Sequence, residues 1–281
     1  MGNEGDEWII NILRSEMPGP ASEFDKLKDN LDSIGELIDS ERVDVNSLFK
    51  YTLINVVTPL VYSASLIMLA CMPYHLFYTA RLIVESLAVG LYEDYWNKDQ
   101  TFCEKLENAK DFTMKDFVEC GKQNCEQKCG QICNHDEKKC RKCKQNCEKC
   151  NRYARLRQRV NKALSWLRDE LGVEPIEFIY RGIYNPFSKI IHPVTKCDNL
   201  TLGTLSLIPV ISVLLPPDEC KSDTRVPKVF YGALAYTRLA INMLVYAWGS
   251  LVGKLSNEEL EDVRRRIEDG VKAIRQLMNI K

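Results

Sequence analysis

The chain has 281 residues, of which 45% are hydrophobic and 27% charged, with a formal net charge of −1; this excludes global disorder and allows one large core, or a core plus an inserted module. The near-neutral total hides an asymmetry, because Val118 to Arg159 carries twelve Lys/Arg against five Asp/Glu. A basic module on an acidic body suits a polyanion or an acidic protein partner, while the plainer expectation is a solvated helix face.

In chain order, Trp8, Ile9, Ile12 and Leu13 recur at helical spacing, and Pro18-Gly19-Pro20 is expected to end that helix. Ser22 is then expected to cap a second helix carrying Phe24, Leu27, Leu31, Ile34 and Ile38. No charged residue occurs from Tyr51 to Ala80, nor from Asn199 to Pro217. The first stretch exceeds the ~20 apolar residues of a membrane span. Prolines 59 and 73 interrupt it, however, and Arg81 and Glu85 follow, so buried core helices are expected over spans. A helix kinked near Pro59 precedes a long one from Pro73 to about Trp96. On the latter, Arg81 and Glu85 lie one turn apart and can pair. The N-terminus, with Glu4, Asp6 and Glu7, lacks the basic and apolar regions of a secretory signal, and a cytoplasmic chain is expected.

After a short amphipathic helix around Phe102, Leu106 and Phe112 comes a run with eight of the twelve cysteines, at 120, 125, 129, 133, 140, 143, 147 and 150. Cys125, Cys129 and Cys133 share one helix face, and Cys140, Cys143, Cys147 and Cys150 share another. Residues 134–139 supply a turn. An antiparallel hairpin then sets Cys133 opposite Cys140, Cys129 opposite Cys143, Cys125 opposite Cys147 and Cys120 opposite Cys150. Two chemistries fit this ladder. Four disulfides would suit an oxidising compartment or the interior of a hyperthermophilic cell. Alternatively, two zinc ions would each take four thiolates, with Cys129, Cys133, Cys140 and Cys143 at one site and Cys120, Cys125, Cys147 and Cys150 at the other. An iron–sulfur cluster fits less well, since the usual Cys-x2-Cys-x2-Cys run is absent. Such a hairpin has few large apolar side chains, so crosslinks would stand in for a core. Its flank presents Lys138, Lys139, Arg141, Lys142, Lys144, Arg152 and Arg155 as candidate contacts for nucleic-acid phosphates, read by backbone charge rather than by sequence. The nested Cys125-x3-Cys129 and Cys143-x3-Cys147 pairs resemble the twin Cys-x3-Cys hairpins of small mitochondrial Tim chaperones.

Beyond the hairpin, Tyr153, Leu156, Val160, Leu164 and Leu167 continue the helical period to a stop at Gly172. Pro175 opens a helical turn running to Tyr184, and Asn185-Pro186 and His192-Pro193 are expected to mark irregular chain. A long apolar helix from Phe230 to Val252 follows. Ser256 with Glu259 forms a capping box for the last helix, whose expected core face is Leu260, Val263, Ile267, Val271, Ile274 and Met278. No alternating strand pattern occurs. Of the three histidines, His75 is expected to be a satisfied core group and His135 to sit in the hairpin turn, while His192 lies four residues after Ser188.

Tyr78-x2-Arg81-x3-Glu85, followed by Tyr184-x3-Ser188-x3-His192-Pro193, resembles HEPN-like helical proteins of prokaryotes. The resemblance implies an all-α bundle, a homodimer and a ribonuclease using Arg81, Glu85 and His192. The family's Arg-x4-6-His motif is missing, since the nearest arginine before His192 is Arg181; a non-catalytic RNA- or protein-binding role is compatible with that departure. The expected architecture is an all-α bundle built from residues 1–117 and 151–281 and interrupted by a cysteine-rich helical hairpin at 118–150. The expected function is that of a binding protein whose basic, crosslinked hairpin meets nucleic acid or an acidic partner. A HEPN-like nuclease and a membrane-anchored protein are the alternatives.

Overall fold

The computed structural model describes residues 4–38, 43–119, 137–191 and 226–277, with side chains at 4–7, 74, 137–144 and 189–191 outside the description. Every regular element among the described residues is helical. In chain order these are α1 (Glu4–Glu16), α2 (Pro18–Ile38), α3 (Leu48–Leu69), α4 (Pro73–Trp96), α5 (Phe102–Ala109), α6 (Met114–Glu119), α7 (Glu137–Ala163), α8 (residues 175–191), α9 (Val226–Val252) and α10 (Asn257–Leu277).

Helix α9 is the centre. Its composition is apolar on all sides, and α2, α4 and α10 pack around it. Phe230, Leu234, Leu239, Leu244 and Trp248 are at most 1% exposed, and they meet Phe24 and Leu27 of α2, Val84 and Leu87 of α4, and Val263 and Ile267 of α10 in one continuous core. The N-terminal turn of α3 crosses α4 so closely that a β-carbon at Gly90 would stand 2.7 Å from the Phe49 Cα. Glycine at 90 therefore sets this crossing, and it brings the Phe49 ring into stacking with Trp248, 5.0 Å between centroids.

The prolines behave differently from the sequence reading. Pro18-Gly19-Pro20 does not end α1 so much as open α2, which begins at Pro18 itself; Ser22 lies inside the helix rather than at its cap. Proline is compatible with a first helical turn because that turn's N–H groups have no intrahelical partner. Pro59 and Pro186 each follow a π-helical turn, Leu53–Val57 and Ile179–Tyr184 respectively. Proline mid-helix loses a donor and clashes with the carbonyl four residues back, and a widened preceding turn relieves both conflicts. Asn185-Pro186 thus continues the helix, as Asn185–Ile191, where an irregular stretch was expected.

Helix α3 is the one helix among the described residues long and apolar enough to cross a membrane, and 39% of its most apolar window is buried. It is not a core helix of the expected kind. One face, with Leu53, Val57, Val61, Ala64 and Met68, is buried, while Tyr51 (45%), Ile54 (37%) and Leu66 (53%) remain exposed. His75 is likewise exposed, not a core group. Other expectations hold. Ser256 and Glu259 form their reciprocal capping bonds, and Val263, Ile267, Val271 and Ile274 are buried. The helix expected to run to Gly172 instead ends at Ala163; a 3-10 turn at Ser165–Leu167 and a short helix at Arg168–Leu171 follow, and the latter stops at Gly172 in a left-handed conformation (φ 67°). Met278 and the second uncharged stretch, 199–217, lie outside the described residues.

Candidate functional site

Helix α7 runs unbroken from Glu137 to Ala163, so the second arm of the expected hairpin and the Tyr153–Leu164 segment are one rod, about 40 Å long at 1.5 Å per residue. One stripe of this rod is a seam. At its body end the seam is apolar: Tyr153, Leu156, Val160 and Leu164 are at most 1% exposed. Three and six residues earlier, on the same stripe, stand Cys150, half-buried and disulfide-bonded, and Cys147, buried. Cys143 and Cys140 continue the stripe on the α7 backbone. The cysteines take over where the large apolar side chains stop.

Helix α6 packs against α7. Phe117 meets the Tyr153 ring edge-on at 5.8 Å between centroids, and the Arg157 guanidinium donates to the Val118 carbonyl. Phe117 and Tyr153 lie three residues inward from Cys120 and Cys150 along their respective segments, which is the level expected if the register of the cysteine ladder extends into the body. Tyr92, Phe112 and Phe117 enclose Tyr153, and burial pushes its phenol far above the usual tyrosine range. Tyr153 is the one Phe, Tyr or Trp in the basic segment from Val118 to Arg159, and its burial keeps it from stacking on bases. Cys120, Cys125, Cys129, Cys133, His135 and the expected turn lie outside the described residues, as do the side chains of Lys138, Lys139, Arg141, Lys142 and Lys144. Among the described residues no group of three His, Cys, Asp or Glu could hold a metal ion.

The face of α7 away from the seam is basic. Arg152, Arg155, Arg159 and Lys162, spaced three, four and three, share it. Arg152 is half-buried, donates to Glu148 at 2.7 Å, and lies over the Trp96 ring at 5.9 Å. The Glu148 hydrogen bond holds the Arg152 guanidinium above its ordinary pKa. Arg159 is exposed and lies 5.6 Å over Tyr95. Arg155 and Lys162 are exposed and form no ion pair among the described residues. Beside them opens a groove of ≈ 1180 Å³, lined by Arg155, Arg157, Lys162, Arg168, Glu174 and Glu177. Its far wall is tied to α7 by the Asn161 side chain, which accepts from the Ile176 N–H at 3.0 Å, and Arg168 pairs with Glu174 at 3.1 Å. Tyr95 and Trp96 were not foreseen as neighbours of this ridge; they come from the far end of α4, and only tertiary packing joins them to it.

A second cluster joins residues singled out together in the sequence. The Arg81 Nη2 donates to the Tyr184 hydroxyl at 3.2 Å, and that hydroxyl donates to Glu85 Oε1 at 3.1 Å. Arg81 Nε stands 3.9 Å from Glu85 Oε2, and the guanidinium lies 5.2 Å over the Tyr184 ring. The π-turn Ile179–Tyr184 carries the tyrosine to this position. Burial, with the Glu85 carboxylate beside it, pushes the Tyr184 phenol up. Ser188 is half-buried one turn further on, and His192 lies outside the described residues. A helix-borne ion pair bridged by a phenol can hold α4 to α8, and it can also orient a guanidinium toward an anion.

The sequence did not single out the buried carboxylate Asp94. It accepts from the Ser47 hydroxyl (2.5 Å), the Leu48 and Phe49 amides (2.8 and 3.2 Å), Lys105 Nζ (2.9 Å) and Trp248 Nε1 (3.0 Å). Five donors from three helices, with Ser47 counted as the N-cap of α3, converge on one charge, and all its lone pairs are used. The arrangement caps α3 and leaves nothing free for chemistry. No protein-family model matches the chain, and no curated protein or solved structure matches it either.

Proposed function

We propose that this is a non-catalytic binding protein whose helix α7 meets the phosphate backbone of nucleic acid, or an acidic protein surface, along its basic face. The observation that carries the reading is the exposed, unpaired state of Arg155 and Lys162 with Arg159 between them, on the side of α7 opposite its buried seam. Cations so placed keep their hydration until a polyanion displaces counterions, which favours affinity without sequence readout. Lys138, Arg141, Lys142 and Lys144 extend the same helix outward. Beyond the Cys150 disulfide, the remaining cysteines, as further disulfides or as a zinc site, would hold that outer half rigid in place of a core.

The test is binding of duplex DNA and RNA across a salt series. Arg155→Glu/Arg159→Glu/Lys162→Glu and, separately, Lys142→Glu/Lys144→Glu/Arg152→Glu should each abolish binding at physiological salt. Neutralising the three cations of either set should lower the log K against log salt slope by about 2–3. Unchanged retention of both variants on heparin and RNA would sink the reading. Intact mass after thiol alkylation, with metal analysis of the same sample, separates further disulfides from bound zinc.

A second reading, a HEPN-like ribonuclease, is supported by the meeting of Arg81, Glu85 and Tyr184. It requires RNA cleavage that Arg81→Ala and His192→Ala both remove, and pure protein without cleavage activity rejects it.

A further inference from the structure

Away from α7, helices α2, α9 and α10 enclose a pocket of ≈ 530 Å³. Lys26, Asn30 and Ser33 line it from α2, Tyr231 and Arg238 from α9, and Arg266 from α10. Arg238 forms its floor and is only 6% exposed. Its guanidinium is held at a single point, since Nε donates to Glu23 Oε1 at 2.6 Å. The two terminal nitrogens carry no hydrogen bond to the protein, and Glu23 Oε2 is buried without a hydrogen-bond partner. A bidentate Arg–carboxylate pair would engage both Glu23 oxygens; this geometry instead leaves the flat edge of a nine-tenths-buried cation unfilled. The fork formed by Nη1 and Nη2 matches a carboxylate.

A second buried donor lies in the same wall. Asn30 is 7% exposed, its Oδ1 accepts from Arg266 Nη1 at 3.1 Å, and its Nδ2 has no partner. The oxygen is thus committed by Arg266, which fixes Nδ2 as the free, donating end. The charges around the pocket decide the ligand's valence. Glu23 is shared between Arg238 and Lys26, whose Nζ stands 3.9 Å from its Oε2; Asp262 balances Arg266, Asp269 balances Lys272, and Asp29 adds a further carboxylate to the lining. Donors are in excess and net charge is not, so a singly charged anion fits better than a phosphate dianion.

We propose that this pocket binds a small monocarboxylate, its oxygens on the terminal nitrogens of Arg238 and its flank on Asn30 Nδ2. The site is separate from the basic ridge and stands whether or not that ridge binds nucleic acid.

Saturation-transfer NMR of the full chain with acetate as the probe, with inorganic phosphate and chloride compared at constant ionic strength, tests it. Acetate should bind saturably and phosphate more weakly. Arg238→Lys keeps the charge and loses the fork, and should weaken acetate at least tenfold. Because Arg238 also holds Glu23, Asn30→Asp is the second variant. It preserves the oxygen that Arg266 grips and places an acceptor where Nδ2 was, so acetate binding should fall at least tenfold with the unfolding midpoint nearly unchanged. No saturable acetate binding by wild type, tighter binding of phosphate than of acetate, or wild-type acetate binding by Asn30→Asp would overturn the assignment.

Discussion

Helices α7 and α9 are both 27 residues long, and they are stabilised in opposite ways. Helix α9 is apolar on nearly every side and buries most of its surface against three neighbours, which makes it an axis. Helix α7 buries one stripe. Over its body half that stripe is Tyr153, Leu156, Val160 and Leu164; over its outer half it is cysteine. A helix with so narrow a seam retains most of its surface for solvent and charge, and the outer half lacks the apolar area that could hold it alone. Length therefore does not distinguish a core helix from a ridge. The width of the buried stripe does.

The largest expected effect belongs to the α9 side. Asp94→Ala should leave Lys105 buried without its carboxylate, and the Trp248 and Ser47 donors without an acceptor. Removing one partner from a buried ion pair costs about 3–5 kcal/mol, and each further orphaned donor about 1–3 kcal/mol. Against a typical domain stability of about 5–15 kcal/mol, the variant should not fold stably. Urea denaturation followed by circular dichroism gives the answer, and a midpoint close to wild type would show that the hub is not what holds α3 against α4 and α9. Tyr153→Ala comes next. It removes a ring 1% exposed, packed against Tyr92, Phe112 and Phe117, and should cost about 3–5 kcal/mol. If α7 were held mainly by its cysteines, the same change would cost under about 1 kcal/mol, so this variant sharpens the comparison between the two seams.

How much of this could be read from the chain follows the range of the interaction. Periodicity within one helix was legible: the Ser256–Glu259 box, the Gly172 stop, and the stripe from Cys140 through Leu164 all depend on neighbours three or four residues apart. Arg81, Glu85 and Tyr184 were singled out together in the sequence, though Tyr184 lies 103 residues from Arg81 and only the fold joins them. Asp94 was not legible. Beside Glu93 it reads as one charge among many near a helix end, and its partners stand up to 154 residues away. The Glu23–Arg238 pair spans 215 residues and was equally silent. The prolines misled for a local reason. A π-turn lets the helix pass through Pro186, as it does through Pro59, where a kinked helix was expected, and the four-residue rhythm that marks ordinary helices carries no sign of it.

A pH titration of stability probes Glu93 of α4, which is fully buried. Its Oε1 has no hydrogen-bond partner, while Oε2 accepts from Asn97 at 2.5 Å. Burial pushes its carboxyl above the usual carboxylate range, with the Asn97 bond and Lys105 opposing. A folded-state pKa above the unfolded one means that the folded chain binds the proton more tightly. Stability from this group is present below the unfolded pKa and is lost as pH rises through the folded one. Glu93→Gln should remove that loss, flattening the stability–pH profile above the ordinary carboxylate pKa and raising the midpoint at neutral pH. A steeper decline in the variant would place the penalty elsewhere.

The smallest effect on folding should come from the ridge. Arg155→Glu, Lys162→Glu and Arg159→Glu together reverse three charges that make no ion pair, and only Arg159 gives up a ring contact, with Tyr95. Substitutions at such surface positions usually stay within about 0.5 kcal/mol each, and an exposed cation–π contact adds about 0.5–1 kcal/mol. The unfolding midpoint should hence move little while polyanion binding disappears. A triple variant that loses several kcal/mol instead would mean that the exposed face of α7 holds the helix in place, and the separation between a seam that folds and a face that binds would fail.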